Sequence, residues 1–424
     1  EIESASGILM DLETGEILYA KDDKASHYPA SITKLMTALL AVEKSKPDEM
    51  VTFSYDAVSK NEVNSAHIAR DVGEQMRMED TLYGLLLASA NECAYAIAEH
   101  VGANMGGDYQ TFIQAMNDRA RELGCVNTHF ANSSGLHDDR HYTCAYDMAL
   151  IARAAYQNET IRKIVATKRY EIPSTNKHAD PTPLNNTHAM LSSNKTSAFL
   201  YEGCVGGKTG YTDEAKRTLV TYVERDDKKL VSVTMYTAGK ACYKDTIALM
   251  DWGLDHFKKV SLRDDSLQAK VDEAIRASGR QGLSWEAEGN LLLPREAGVS
   301  DLAVRLEASG TGDRADASKE KTEGEKSGGE ETDSYKLSLM LGDRLLISQP
   351  LTAVKKADEP RGKSALSHWA ESVGNCLGRP GRIAILLIFL LLLLALAFRY
   401  LLIVRRRRRK RRRRGSWTRG NRWR

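Results

Sequence analysis

The chain has 424 residues, of which 42% are hydrophobic, so it can build two or three packed domains. Its net charge of +3 conceals two unlike parts, because the last twenty residues contain twelve Arg, one Lys and no acidic residue. The rest of the chain is close to −10, which excludes a uniformly basic protein.

Strands at both ends of the first 257 residues, with helices between them, predict an α+β domain. A β-hairpin is predicted from Ala5 to Leu18, with its turn at Glu13–Gly15. From Ser31 onward, apolar residues recur at helical spacing. Further helices are predicted at 82–87, 94–101, 112–123, 146–156 and about 245–257, and strands at 219–223 and 230–237.

Residues 258–354 show a different pattern. Short strand-like runs, separated by Gly or charged residues, predict a small β domain. The stretch 309–334 within it is rich in Glu, Lys, Gly, Ser and Asp and has no aromatic residue. We expect this stretch to be a disordered insertion, because it cannot bury enough apolar surface to fold. The strand-like runs lie at 290–293, 302–306 and 336–341.

A linker at 355–381 leads to an apolar run at 382–404. A helix of this length spans roughly 33 Å, which is enough to cross the hydrocarbon core of a bilayer. The basic tail at 405–424 follows directly and predicts a cytoplasmic C-terminus. A single transmembrane helix is therefore favoured over a buried core helix, and membrane anchoring is favoured over binding of nucleic acid.

The chain begins at Glu1 without the charged and apolar regions of a signal peptide. A mature secreted protein is the favoured interpretation, and a fragment cloned without reference to secretion is the alternative. Six cysteines show no C-x-x-C pair and no metal-ligand spacing. His137 and His141 have the spacing of a metal pair, but their polar surroundings indicate a loop, so we expect no metal.

The first of three candidate motifs is Ser31-Ile32-Thr33-Lys34, an S-x-x-K at the start of an apolar helix. Its i, i+3 spacing places the Ser31 hydroxyl and the Lys34 amine on one helix face. We expect the helix N-terminus and a neighbouring cation to lower the pKa of Lys34, so that it accepts the Ser31 proton. The alternative is that Ser31 only caps the helix.

The second motif, Ser89-Ala90-Asn91, interrupts two helical patterns. Ser89 is expected to pass a proton, and Asn91 to bind a substrate amide. The alternative is that Asn91 serves as the N-cap of a helix that begins near Glu92, and the two roles are compatible. Taken alone, this motif is weak evidence for a catalytic site.

The third motif, Lys208-Thr209-Gly210, precedes a predicted strand and suggests the edge of a sheet. We expect Lys208 and Thr209 to bind a terminal carboxylate, and Gly210 to let the substrate backbone approach closely. An ordinary turn is the alternative for this motif alone. The order S-x-x-K, S-x-N, K-T-G, however, is the signature of enzymes that form a penicilloyl-serine intermediate.

The segments around these motifs resemble the low-molecular-weight penicillin-binding proteins, the D-Ala-D-Ala carboxypeptidases. The resemblance implies a penicillin-binding/β-lactamase-like transpeptidase domain at 1–257, with an antiparallel sheet and helices. It also implies a small β domain and a C-terminal membrane anchor. The similar segments are Pro29–Thr37, Asn127–Leu136, His141–Ala149 and Gly207–Asp213.

The implied activity is removal of the terminal D-alanine from peptidoglycan stem pentapeptides through an acyl-enzyme on Ser31. Lys34 would be the base, and Ser89 with Lys208 would deliver a proton to the departing D-alanine. The backbone N–H groups of Ser31 and Tyr211 would form the oxyanion hole. No cofactor would be needed, and β-lactams would be covalent inhibitors. The role would lie in cell wall biogenesis, outside the membrane.

Two departures from the family pattern are Ala90 and the pair Lys216-Arg217, which stand where Gly is common. A class A β-lactamase would need a Glu-x-x-Leu-Asn loop, but Pro181 occupies the Glu position before Leu184-Asn185. A DD-endopeptidase of the same family has the same chemistry and stays open. An inactive wall-binding homologue is the non-enzymatic alternative.

Overall fold

The computed structural model describes residues 1–60, 65–194, 196–279, 283–285, 287–308 and 335–353. The predicted insertion at 309–334, the linker, the apolar run at 382–404 and the basic tail lie outside the described residues. Within the described ranges, no helix is both long and apolar enough to cross a membrane.

The order of elements places helices between the first and the last strands of the main sheet. The helices are α1 (Lys34–Lys44), α2 (Tyr55–Ser59), α3 (Met78–Leu87), α4 (Asn91–Asn104), α5 (Tyr109–Glu122), α6 (Ala145–Gln157), α7 (Glu159–Ala166), α8 (Ala241–His256) and α9 (Asp265–Ala277). The strands are β1 (Ser6–Asp11), β2 (Ile17–Lys21), β3 (Met50–Thr52), β4 (Gln75–Arg77), β5 (Arg169–Ile172), β6 (Thr182–Asn185), β7 (Cys204–Thr212), β8 (Lys216–Arg225), β9 (Lys228–Thr237), β10 (Phe257–Ser261), β11 (Leu283–Ser284), β12 (Asn290–Pro294), β13 (Leu302–Ala308), β14 (Tyr335–Leu341) and β15 (Arg344–Ala353).

The main sheet has five antiparallel strands in the order β2-β1-β9-β8-β7. The predicted hairpin at the N-terminus is confirmed by β1 and β2. The β8–β9 turn contains Asp226 and Asp227, with φ angles of 53° and 59°. Aspartate tolerates this left-handed conformation better than most residues, and two such residues make the tight turn that matches the strand twist.

Helices cover both faces of this sheet, so its inner strands are buried on both sides. Along β1, Ile8 and Met10 pack into the core formed with α1 and α3–α7. Leu9, on the opposite face, packs with Leu249 and Leu254 of α8. Burying each such side chain contributes about 1.5–3 kcal/mol. Together these contacts fix α1, which carries the first motif, against the sheet that carries the third.

A second hydrophobic cluster is formed by residues that follow α8 in the sequence. It includes residues of β13, β14 and β15, which are neighbours in a four-stranded sheet. The three strands predicted there are confirmed by β12, β13 and β14. Helix α9 was not predicted, although Leu267, Val271 and Ile275 repeat at helical spacing and are buried. Phe257, expected to end the preceding helix, instead begins β10.

Candidate active site

The nucleophile candidate lies on a short 3₁₀ turn, Ala30–Thr33, which leads into α1. Ser31 is partly exposed in a cleft, and its Oγ is 2.9 Å from the Lys34 Nζ. Thr33 holds the N-cap position of α1, so the interpretation of Ser31 as a mere helix cap is wrong. Ala30 has a φ of 51°, a conformation that costs a non-glycine residue about 1–3 kcal/mol.

The Lys34 side chain is fully buried, and three oxygens surround its amine. The Nζ donates to Ser31 Oγ at 2.9 Å, to Asn91 Oδ1 at 2.7 Å and to the Ser134 carbonyl at 2.5 Å. The amide and carbonyl oxygens can only accept. A neutral amine therefore keeps its two N–H groups on Asn91 and Ser134, and its lone pair faces the Ser31 hydroxyl.

Burial holds the pKa of Lys34 well below its ordinary value, and the positive charge of Lys208 lowers it further. The carboxyl of Glu92 acts in the opposite direction. Removal from water penalises the charged form of an amine, so Lys34 has a neutral fraction available for proton acceptance. The sequence predicted the neighbouring cation, but burial is the larger cause.

Ser89 lies between α3 and α4 and connects the second motif to the third. Its φ is 63°, and its Oγ accepts a hydrogen bond from Lys208 Nζ at 2.9 Å. Ala90, which stands where the family commonly has Gly, has a φ of −60°, so the left-handed conformation lies one residue earlier, at Ser89.

The α4 helix begins at Asn91 itself, and the side chain of its N-cap residue, Ala90, makes no capping bond. The proposed N-cap role of Asn91 is therefore wrong. Its amide oxygen is instead bound to Lys34, and its backbone N–H donates to the Ala66 carbonyl at 2.8 Å. Asn91 thus joins the segment around Ala66 to the amine.

Lys208 is almost completely buried, and its amine also donates to the Thr209 carbonyl at 2.8 Å. Burial lowers the pKa of Lys208 to about 7. A group with this pKa exchanges a proton near neutral pH and is only partly charged there. Together with the hydrogen bond to Ser89, this pKa suits the delivery of a proton through the Ser89 hydroxyl.

The third motif lies on β7, which among the described strands pairs with β8 alone and forms one edge of the main sheet. The predicted sheet edge is confirmed, and the alternative of an ordinary turn is wrong. A Cβ atom on Gly210 would lie 2.3 Å from Thr218 Oγ1 and 3.0 Å from the Ser31 backbone nitrogen. Glycine is thus required at this position because β7 packs directly against the turn that carries Ser31. The sequence did not reveal this packing requirement.

This close approach places the Ser31 backbone beside the Gly210–Tyr211 segment, which the family resemblance associates with the oxyanion hole. The Tyr211 side chain is 56% exposed at the cleft, and its hydroxyl donates to Asp213 at 2.8 Å. The cleft has a volume of about 310 Å³, and no acidic side chain among the described residues lines it. Its lining includes Ser31, Ser89, Asn91, Thr209, Tyr211 and Arg217.

Two contributors to the site were not predicted as functional residues. Arg217 lines the cleft, and its guanidinium lies 5.6 Å from the centre of the Tyr211 ring. The preceding residue, Lys216, has a φ of 54°, which explains why Gly is common there. The Ser134 carbonyl was missed because a main-chain oxygen has no residue-type signature, although Ser134 lies in a segment that resembles the family.

His141 connects the Ser134 loop to the nucleophile turn. Its Nδ1 accepts from the Ala131 N–H at 3.0 Å, so its Nε2–H donates to Thr33 Oγ1 at 2.8 Å. Burial lowers the pKa of His141 to about 3, which keeps the imidazole neutral. His137 lies nearer the surface, with Nε2 3.5 Å from Asp139. The two histidines of the apparent metal spacing therefore have separate partners.

A different trio, Asp71, Glu74 and His178, brings potential metal-ligand atoms within 4.8 Å of one another. Glu74 already forms a buried ion pair with Arg70 at 2.8 Å and accepts from Thr175 Oγ1 at 2.8 Å. The trio is therefore part of a hydrogen-bonded network that joins the segment around Glu74 to the segment around Thr175 and His178.

Known proteins resemble the N-terminal part of the chain, which carries the three motifs. A family model described as D-alanyl-D-alanine carboxypeptidase (Peptidase S11) matches residues 1–239. The chain is 34% identical over 237 residues to D-alanyl-D-alanine carboxypeptidase DacF of Bacillus subtilis, a match that covers 54% of this chain and 57% of that protein. It is 32% identical over 263 residues to a D-alanyl-D-alanine carboxypeptidase of Streptomyces sp. strain K15, covering 59% and 87%.

The fold is similar to that of the Streptomyces K15 DD-transpeptidase. Its crystal structure matches 60% of this chain and 98% of its own, with a TM-score of 0.55 and 30% sequence identity. This likeness identifies the α+β architecture as the penicillin-binding/β-lactamase-like fold.

Proposed function

Because the chain belongs to the Peptidase S11 family of D-alanyl-D-alanine carboxypeptidases, we propose that it removes the terminal D-alanine from peptidoglycan stem pentapeptides. The observation that carries this proposal is the buried Lys34 amine, which lies 2.9 Å from Ser31 Oγ and also binds the Asn91 amide oxygen and the Ser134 carbonyl oxygen. When this amine is neutral, its two N–H groups stay on those two carbonyl oxygens and its lone pair faces Ser31. This arrangement provides an activated serine nucleophile without a histidine.

In the acylation step, Ser31 Oγ attacks the carbonyl carbon between the two terminal D-alanines while its proton passes to Lys34. The developing oxyanion is stabilised by the backbone N–H groups of Ser31 and Tyr211. The C–N bond then breaks, and the departing amine takes a proton from the Ser89 hydroxyl. Lys208 returns a proton to Ser89. Water subsequently cleaves the ester on Ser31 and releases the shortened peptide.

Arg217 and Thr209 are the groups that we assign to the terminal carboxylate of the substrate. The guanidinium keeps its charge at all working pH values, whereas Lys208 is buried and has a pKa of about 7. Both Arg217 and Thr209 line the cleft that holds Ser31. The positive charge for the carboxylate is thereby supplied by Arg217 on β8, the strand next to the one that carries Lys208.

The first prediction is that benzylpenicillin forms a covalent adduct on Ser31 and that the enzyme releases D-alanine from a pentapeptide. Intact mass and peptide mapping locate the adduct, and a chemical assay measures D-alanine. Ser31→Ala should keep the fold and lose both reactions. An adduct on another residue, or folded protein with no adduct, would contradict the assignment. Cleavage of a D-Ala cross-link without D-alanine release would favour the endopeptidase alternative.

We further propose that the apolar run at 382–404 anchors the enzyme as a single-pass membrane protein. The catalytic domain would lie outside the cell and the basic tail in the cytoplasm. Support comes from the length of the run and the basic residues that follow it. Such an anchor would hold the cleft close to the newly made wall, where it limits cross-linking.

The second prediction is that a chain ending before Pro380 is soluble and keeps its peptidase activity, because the three motifs lie far upstream. The full chain should remain in the membrane pellet after a carbonate wash, and the truncated chain should leave it. If the truncated protein folds but does not hydrolyse a soluble peptide, the proposed division into a catalytic domain and a separate anchor is contradicted. A full chain released by the wash would contradict the anchor.

A further inference from the structure

A second cavity of about 190 Å³ adjoins the catalytic cleft, and we call it the distal pocket. Thr187, Thr209 and Arg217 line both spaces, so they form the boundary between them. Ser31 lines the cleft only. The distal pocket is lined by Thr187, Ala189, Thr196, Phe199, Thr209, Arg217, Lys240 and Tyr243.

The chemistry of the distal pocket matches a short side chain that ends in an anion. Arg217 and Lys240 supply two positive charges, and no acidic residue is found in its described lining. Among the described residues, no carboxylate forms an ion pair with either of them. The rings of Phe199 and Tyr243 stack with centroids 4.9 Å apart and offer an apolar wall.

The position of the distal pocket relates it to one part of the substrate. Under the proposed function, Arg217 and Thr209 bind the carboxylate of the C-terminal D-residue. Because these same two residues form the boundary, the distal pocket lies on the leaving-group side of the scissile bond. The methyl group of D-alanine would leave most of its 190 Å³ unfilled, so a larger side chain has room to enter.

We propose that the distal pocket is a specificity subsite for the side chain of the C-terminal D-residue, and that Lys240 makes it favour an acidic side chain such as that of D-glutamate. This proposal rests on the proposed carboxypeptidase function. It extends the substrate class from peptides ending in D-Ala-D-Ala to peptides ending in D-Ala followed by an acidic D-residue. The bond cleaved and the acyl-enzyme are unchanged.

The test compares kcat/KM for three acylated dipeptides that end in D-Ala-D-Ala, D-Ala-D-Glu and D-Ala-D-Gln. Glutamine has nearly the size of glutamate without its charge, so the D-Glu to D-Gln ratio isolates the effect of charge. We expect a ratio of about fivefold in the native enzyme, the size of effect that a solvent-accessible ion pair gives. The ratio should shrink as salt is added.

Because the terminal carboxylate of the substrate occupies Arg217, Lys240→Gln should bring this ratio to about one, and Lys240→Glu should bring it below one. The matched control is Lys244→Gln, which removes an exposed lysine that lies in the first turn of α8, directly after the N-cap residue Lys240, and that does not line the distal pocket. An unchanged ratio in both Lys240 variants, or a native ratio of one, overturns the subsite. Failure of the native enzyme to release D-alanine from D-Ala-D-Ala overturns the proposed function instead.

Discussion

Replacement of Lys34 by arginine is expected to abolish acylation of Ser31 by penicillin and turnover of a D-Ala-D-Ala peptide. Arginine keeps a positive charge but does not lose its proton in a protein. It therefore cannot accept the proton of the serine hydroxyl. Removal of a general base typically costs about 10²–10⁴-fold in rate, and we expect a loss at least this large.

The measurement is the second-order rate of acylation across pH. In the native enzyme, acylation should fall as pH falls through the pKa of Lys34, because the protonated amine has no lone pair. Lys34→Arg should show only a low and flat rate. Since a guanidinium is larger than the buried amine, Lys34→Met provides a second variant of similar length, and thermal melting checks that both fold. Acylation within tenfold of native in either folded variant would place the base elsewhere.

The sequence predicts the Ser31–Lys34 pair because i, i+3 spacing is a local property of a helix start. The remaining partners of the amine are distant in sequence, since Asn91 and Ser134 approach it only after α4 and the 131–135 loop have packed. One of them, Ser134, contributes a main-chain oxygen, which no residue type signals. Spacing therefore finds the reacting pair, while the fold supplies the groups that orient it.

The fold shows the same difference between what local sequence patterns predict and what depends on tertiary packing. The long helices α1, α4, α5 and α6 are predicted because their apolar residues repeat over several turns. Shorter elements such as α2, α7 and the β3–β4 pair are missed, since an isolated helix of one or two turns is unstable without tertiary packing. Their patterns are too brief to distinguish from loops. Ser65 and Ala66, which lie between α2 and β4, nevertheless line the cleft.

Gly135 is the position where a single added methyl group should damage both stability and catalysis. Its φ is 86°, and a Cβ atom there would lie 1.9 Å from the Ala30 carbonyl oxygen. Alanine in the left-handed region costs about 1–2 kcal/mol, and the clash forces two backbone segments apart. One segment carries Ser134 and the other leads into Ser31, so the geometry around Lys34 must change.

The matched control is Gly106→Ala, because Gly106 has a φ of 84° and an added Cβ would meet nothing within 4 Å. This variant should lose about 1 kcal/mol in the free energy of unfolding and keep the native acylation rate. Gly135→Ala should lose several times more stability. Its acylation should slow by about 10²-fold, the loss expected for an ångström-scale misplacement of reacting groups.

Urea unfolding and the acylation rate of folded protein separate the two effects of Gly135→Ala. If both glycine variants lose equal stability and acylate at the native rate, the contact with Ala30 has no role in placing the nucleophile. If Gly135→Ala is destabilised yet acylates normally, the nucleophile turn holds its position without the Ser134 loop. Only the combined loss supports the view that this close backbone contact, rather than α1 alone, positions Ser31 in front of the Lys34 lone pair.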